Sequence, residues 1–549
     1  MKKILLNFLL LITSIATFSQ IPDWQWLKKG GGESYDESGT ITGDQFGHLY
    51  IGGQLYSTTS YFGNVTMNHP FSGSDLFIVK YDLMGNAKWG RNFGNGQADI
   101  TKDIACDRYG FVYFVAEFGD SILDISQYNL FTKGGKDVCI VKMDTIGNVV
   151  WANSIGGLRD DYVSSIVINE SDQILIGGYF RSDTMYFGNS TLISPNIFTT
   201  NYYFAKYDLN GNFIWAKGNG GYRERKINNL ICDRQDNIII SGDFSDSTLI
   251  IGNDTLINGL SPNYGWTSFI AKFDSSGNSI WAKSALSDNN SYSKGVTIDS
   301  SGNSYWLGEF INSVQLADTS LFDSLSLGMY LIKLDRNGNR LWTFTPDTPY
   351  FVHVNSVVAD ENENVYLTGS YSNLPLIMGS ISLPSPGYSS NFYIKLNSNG
   401  IPVWAKYSRE TNTTQSTDMF ILNEHDLFVA GWFRSSSFSL DTIQLFNNYP
   451  GASDVFLAKL HESVVGVEHI LNQEKFQIYP NPFNRKFNID LPDELSKVRI
   501  FDLLGRIVYE EVFQNEKTIE IELFSAGIYV VELSSAYSTM RKSIVCVIR

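Results

Sequence analysis

Residues 203–215 read YFAKYDLNGNFIW, and the pattern recurs as FIVKYDLMGNAKW at 77–89, FIAKFDSSGNSIW at 269–281 and YLIKLDRNGNRLW at 330–342. Each copy is an apolar run, a turn opened by Asp and carrying Gly, and a short strand that reaches Trp. The Asp side chain can accept hydrogen bonds from the backbone ahead of it, and Gly supplies the positive φ that closes a short hairpin. The tryptophans Trp26, Trp89, Trp151, Trp215, Trp281, Trp342 and Trp404 follow one another at 61 to 66 residues. A period of this length marks a repeat architecture. A second turn residue stands 18 positions beyond the first six of them, at Asp44, Asp107, Asn169, Asp233, Asp299 and Asp360.

Working outward from one copy, the stretch from Asp99 to Ser154 contains four strands, a to d in chain order. Strands a and b meet at Asp107-Arg108-Tyr109-Gly110, c and d at Thr145-Ile146-Gly147-Asn148, and a long irregular segment separates b from c. Strand c carries a lysine in all seven copies (Lys80, Lys142, Lys206, Lys272, Lys333, Lys395 and Lys459). Sevenfold recurrence indicates scaffold, with the stem packed between sheets and the amine near the Asp two residues on. Strand b ends in a small residue, a variable one and usually an aromatic one. The variable positions are Gln54, Glu117, Tyr179, Asp243, Glu309, Ser370 and Trp432. They fit either a grafted site or a tolerant solvent position. Asp/Asn clusters in the turns read as hairpin closures rather than calcium loops, because the alternate-residue ligand pattern is missing.

The last copy has no strand d, whereas residues 23–28 form a d-like strand with nothing before it. Four-stranded units arranged radially make a β-propeller, and an overlap of the two chain ends closes the ring. The expected fold is therefore all-β: a seven-bladed β-propeller closed by its N-terminal strand. Its 14% aromatic and 18% charged residues suit short strands and Gly-rich turns. The net charge of −16 speaks against nucleic acid, which needs basic patches. Lys2 and Lys3, the apolar stretch 4–15 and the small residues around Ser19 read as a signal peptide over 1–19. That stretch is too short to span a membrane, so no transmembrane segment is expected in the mature chain. Cys106, Cys139, Cys232 and Cys546 fall too far apart in the repeat scheme to pair and are expected as free thiols.

The repeats over residues 20–461 resemble the seven-bladed propeller family that includes SBBP-type units, on the Asp-x-x-Gly-Asn turn, the following Trp and the strand-b motif. After a linker at 462–475 the pattern changes. Tyr479-Pro480-Asn481-Pro482, Asp502-Leu503-Leu504-Gly505-Arg506, Ala526-Gly527-Ile528-Tyr529 and a basic-apolar end resemble the C-terminal sorting domain of type IX (Por) secretion systems. The resemblance implies a small Ig-like β-sandwich over 476–549, recognition by the type IX machinery, and delivery through the periplasm to the outer surface or medium.

In a propeller, the b–c and d–a loops share one face. Long variable loops on a rigid scaffold are where binding sites sit. Candidate ligand contacts there are Arg159, Asp160, Arg223, Arg225, Trp266 and Trp432, with Asp161, Glu224, Tyr264, Tyr350 and His353 nearby. No catalytic motif is present, the six histidines are scattered, and neither a cofactor nor a metal site is expected. The leading expectation is non-catalytic binding of polysaccharide or protein. The alternatives are a carbohydrate-active hydrolase or lyase using Glu117, Asp243 and Glu309, and a structural surface component.

Overall fold

The computed structural model describes residues 22–462, apart from short stretches at 70–71, 120, 197, 259–264, 288, 317–318, 348–350, 386–388, 411 and 423–424, and strands between 478 and 546. The signal-peptide stretch, Tyr264, Tyr350 and the linker beyond 462 lie outside these residues. Two compact bodies divide the chain, residues 21–463 and a second that includes 464–549. All regular elements described are strands.

The first body contains four-stranded antiparallel units, six with strands a, b, c and d hydrogen-bonded in chain order and a seventh whose strand d is Asp23–Gly31. In unit 2 they are Ile100–Cys106, Val112–Phe118, Asp137–Met143 and Val149–Ile155. Strands b and c are buried along their whole length, which is why they read as continuous apolar runs rather than alternating ones. Successive side chains point to opposite faces. Val112, Phe114 and Ala116 join Tyr50 and Ile78 of unit 1, while Tyr113 and Val115 join Tyr203 and Ala205 of unit 3. Each unit thus shares one core with the unit before it and another with the unit after it.

The two ends of the array meet. Asp23–Gly31 lies antiparallel along Asp454–His461, the c strand of unit 7, from Asp23 opposite His461 to Gly30 opposite Val455. Ile41 and Ile51 of unit 1 share a core with Phe428, Ala430 and Leu457 of unit 7. The first strands also touch in a cycle, each against the next and the seventh against the first.

Tryptophan explains the period. The indole N–H of Trp89 donates to Thr145 O in the c–d turn of the next unit (3.2 Å), and Trp151, Trp281 and Trp342 repeat the bond to Leu209, Arg336 and Ser398. The turn glycine has φ near +80° and packs on that same ring. A Cβ on Gly147 would lie 2.9 Å from Trp89. Trp404 differs: its Nε1 is buried without a hydrogen-bond partner. The seventh d strand comes from the N-terminus, so no c–d turn in chain order stands beside Trp404 to accept the bond.

Two expectations are corrected. The b–c segments are not irregular, because in most units they fold into a short hairpin, such as Thr59–Phe62 with Val65–Asn68. The hairpin of unit 1 pairs with the strand d supplied by Asp23–Gly31, and that of unit 7 pairs with strand d of unit 6. Outer strand edges are thereby covered, as exposed edges demand. The strand-c lysines do not seek the Asp two residues on. Lys80 and Lys142 donate to Thr145 O and Leu209 O of the next unit, whereas Lys272 pairs with Asp233 at 2.9 Å.

The second body has seven described strands from Ile478–Asn484 to Thr539–Cys546. Phe487 with Ile489, Val498 with Ile500, and Tyr529 with Val531 are buried at alternate positions, as half-buried strands require. Cys106, Cys139 and Cys232 are free thiols.

Candidate functional site

Every strand a carries one extra residue at the same place, seen as register shifts between Val163 and Ser165, Ser293 and Gly295, and Val354 and Ser356 among others. Such a bulge leaves backbone groups unpaired within its own sheet. The preceding unit satisfies three of them through the variable position of strand b. Glu117 accepts from Val163 N–H, Asp243 from Ser293 N–H at 2.7 Å, and Glu309 from Val354 N–H at 2.8 Å. The carboxylates considered for catalysis are therefore hydrogen-bonded across unit junctions, with 2–6% exposure.

Their electrostatics diverge. Burial raises Glu117 against the pull of Lys102. Burial also pushes Asp243 up to about 7, although Ser293 N–H and Asn228 oppose it. Burial alone would raise Glu309 too, but His353 and Lys294, with Nζ at 3.0 Å, outweigh it and hold the carboxyl low.

At this same end of the units, where strand a begins and strand b ends, the repeat breaks into unlike side chains. Tyr162 and Tyr179 stack with centroids 4.7 Å apart. Arg181 lies over Tyr162, and the Lys226 amine sits 5.2 Å from the Tyr179 ring and 4.7 Å from Trp266. Between units 7 and 1, Arg434 lies between Tyr35 and Trp432, about 5 Å from each, and pairs with Glu37 at 3.0 Å. Cations over aromatic faces form flat surfaces of mixed polarity. Beside the first group opens a depression of about 720 Å³ lined by Leu158, Arg159, Asp160, Arg181, Phe198 and Glu224. Leu158 and Phe198 are 71% and 83% exposed.

The named ligand candidates separate. Arg159 and Asp160 line the depression, with Arg159 3.4 Å from Asp183 and Asp160 accepting the Lys136 N–H. Trp266 and Trp432 take part in the two cation–aromatic groups. Arg223 is partly buried in the loop between units 3 and 4. Arg225 is corrected: it is buried, with its guanidinium on Asp246 at 2.8 Å and on Gly220 O, so it faces inward. Sequence reasoning missed Tyr35, Tyr162, Arg181, Lys226 and Arg434 as site residues. Tyr162 and Lys226 stand directly opposite Tyr179 and Asp243 in the a–b ladder. That ladder partner was the available signal.

A second cavity of about 260 Å³ lies at the opposite end, among the a–b turns of units 3 to 6. Its aspartates are engaged by their own turns. Asp233 Oδ1 accepts from Gln235 N–H and Asn237 N–H, and its Oδ2 binds Asn237 and Lys272.

Residues 477–547 match the secretion system C-terminal sorting domain family. This domain implies handling by type IX secretion and delivery to the outside or the outer surface. Among curated relatives, a WD repeat-containing protein of Acanthamoeba polyphaga mimivirus is 23% identical over 55% of this chain and 26% of its own length. The regulatory protein FlaEY of Caulobacter vibrioides is 24% identical over 31% of this chain and 17% of its own. The chain thus spans about a quarter or less of these relatives. Solved structures with some likeness include the extracellular domain of a putative hybrid two component system from B. thetaiotaomicron (TM-score 0.23, 10% identity, 93% of this chain, 72% of that one). PorZ, a surface component of the type IX system of Porphyromonas gingivalis, gives TM-score 0.19 at 9% identity over 95% of this chain and 100% of that one. A Synechocystis apocarotenoid oxygenase gives 0.37 at 11% identity over 81% and 94%. At such scores the likeness transfers neither topology nor activity.

Proposed function

We propose that this chain is an exported seven-bladed β-propeller of SBBP type, closed by its N-terminal strand, that binds polysaccharide or surface protein without catalysis. Its signal peptide is residues 1–19, and its Ig-like sandwich over 476–549 serves sorting. The observation that carries the reading is the break in repetition at the loop face. Turns, tryptophans and lysines recur from unit to unit, whereas the loop-face positions hold Tyr162, Tyr179, Lys226 and Trp266 on one side and Tyr35, Trp432 and Arg434 on the other. Aromatic faces flanked by cations suit sugar rings and peptide side chains alike. The carboxylates that a glycosidase would use serve instead as acceptors for the next unit's backbone.

A hydrolase is the second reading. Asp243 and Glu309 both lie near Lys294 and are pushed in opposite directions, the pattern of an acid and its partner carboxylate. One assay separates the two. The mature chain is incubated with soluble and insoluble polysaccharides, and both retention and new reducing or unsaturated ends are scored. Retention without new ends, lost in Trp266→Ala or Trp432→Ala, is the expected result. New ends that vanish in Asp243→Asn would replace binding with hydrolysis. Retention unchanged in both tryptophan variants would refute this placement of the site.

A further inference from the structure

The most exposed large apolar side chains among the described residues are Tyr222, Phe198, Ile193 and Leu158, at 86%, 83%, 76% and 71%. All four fall between residues 158 and 222, in unit 3 and the d–a loops on either side of it. Leu158 and Phe198 line the depression of about 720 Å³. The Thr199 hydroxyl donates to Gly221 O, which ties the Phe198 loop to the loop carrying Tyr222. Phe198 and Tyr222 thus hold two open aromatic faces beside the depression. Apolar exposure gathered in one place marks a binding surface, whereas single exposed apolar residues need no explanation.

The charge around the depression runs against that of the chain. The chain carries −16, yet Lys136, Arg159, Arg181, Arg223 and Lys226 border or flank the depression against Asp160, Asp183 and Glu224, and none of these residues is buried. The three carboxylates are occupied within the protein. Asp160 accepts from Lys136 N–H and the Tyr162 hydroxyl, Asp183 pairs with Arg159 at 3.4 Å, and Glu224 pairs with Lys226 at 3.3 Å. The Arg181 guanidinium meets only the Tyr162 ring among the described residues, 5.8 Å from its centroid. Stacking on a ring leaves the in-plane N–H groups of the fork open. Arg159 is held only by an exposed ion pair, which a ligand carboxylate can displace at little cost. Beneath the same loops, burial pushes Asp137 up to about 7 and Asp161 up to about 6 and also raises Glu117, so the carboxyls behind the depression carry less than their full negative charge.

We propose that this depression binds an acidic polysaccharide, one whose sugar rings carry carboxylates, with Arg181 as the carboxylate fork and Phe198 and Tyr222 as platforms for the rings. The inference rests on the reading of the loop face as a binding surface for polysaccharide or protein, and narrows its ligand. An arginine fork matches both oxygens of a carboxylate. The C–H face of a pyranose lies on the electron-rich face of an aromatic ring. A polyuronate presents a ring and a carboxylate on every unit, so one chain engages the fork and both platforms together. An acidic peptide offers the carboxylates without the ring faces.

The test titrates the full mature chain with polygalacturonate, alginate, fully methyl-esterified polygalacturonate (the same backbone without its charge) and poly-L-glutamate, following heat of binding. Both acidic polysaccharides should bind, with the methyl ester and polyglutamate weaker by about tenfold or more. Raising the salt from about 0.05 M to about 0.5 M should weaken the acidic pair strongly. Arg181→Ala and Phe198→Ala should each lose about tenfold, and Arg181→Lys, which keeps the charge without the fork, should not restore it. Both side chains are exposed, so these variants fold. Arg234→Ala removes a 60% exposed charge at the opposite end of the units and should change nothing. Equal affinity for polygalacturonate and its methyl ester overturns the proposal. If that shared binding falls in Trp266→Ala, the loop face still binds polysaccharide and only its acidic selectivity is lost. Polyglutamate binding as tightly as the polyuronates assigns an acidic peptide instead, and an equal loss in Arg234→Ala reduces the binding to unspecific charge attraction. Failure of both acidic polysaccharides to bind overturns it as well.

Discussion

Replacing Trp342 and Trp404 by Phe, one at a time, asks the same chemical question at two equivalent positions of the repeat and should return different answers. Trp342 donates its indole N–H to Ser398 O at 2.9 Å and packs its ring on Gly400, where a Cβ would lie 2.8 Å away. Phe removes that bond, worth about 1 kcal/mol net, and apolar contact worth ~1 kcal/mol more. The expected loss is thus ~2 kcal/mol. Trp404 is 3% exposed and its N–H has no partner. Phe costs the same contact there but removes a buried unsatisfied donor, whose burial costs ~1–3 kcal/mol. Trp404→Phe should therefore be neutral or stabilising. Guanidinium denaturation of both variants beside the wild type, under identical conditions, reads the difference as opposite or unequal midpoint shifts. Equal losses would mean that Trp404 has an acceptor. The account of the seventh unit as lacking a c–d turn in chain order would then fail.

Asp243 is raised to about 7 by burial, so the folded chain binds its proton where the unfolded chain has released it. The stability it contributes is complete below the unfolded value near 4 and is lost as pH rises through about 7. Asp137, Asp161 and Asp454 are raised in the same direction, so Tm should fall between pH 5 and pH 8. Asp243→Asn should flatten part of that slope by up to ~4 kcal/mol, and an unchanged pH profile would rule out the assignment. Gly338→Ala should cost ~2–4 kcal/mol, because φ is +79° and the new Cβ would meet Trp281 at 2.8 Å. Gly63→Ala, at φ +59° with nothing within 4 Å, should cost only ~1 kcal/mol, and thermal melts will show whether the two separate. Removing residues up to Gly31 uncovers the Asp454–His461 edge, so the truncated chain should associate or lose cooperative unfolding. A stable monomer by sedimentation would argue against closure by that strand.

Local chemistry made much of the fold legible before any coordinates. An Asp-led turn with Gly at positive φ, an apolar run and a Trp at fixed spacing are short-range signals, and their period marks a repeat of short strands. The b–c hairpins were equally local. Gly63, Gly188, Gly252 and Gly379 each open a tight turn at φ near +60°, and Phe62-Gly63-Asn64 and Phe187-Gly188-Asn189 spell it out. The length and variability of these segments mask them, because the hairpin strands are only 3 or 4 residues long.

The sequence by itself determined the strand repeat, the change of pattern after residue 462 and the resemblance to a sorting domain, since each rests on residues near one another in the chain. The tertiary structure alone decided what the variable positions do. Glu117, Asp243 and Glu309 look alike in sequence to any exposed catalytic carboxylate, yet each meets a backbone N–H some 45–50 residues further along the chain. Arg225 reads as a surface arginine until Asp246 closes on it. Trp404 is one of seven until the chain's own beginning becomes its neighbour. Partners that far apart leave no spacing to read, because the distance between them is set by how whole units pack and not by the geometry of any single strand or turn.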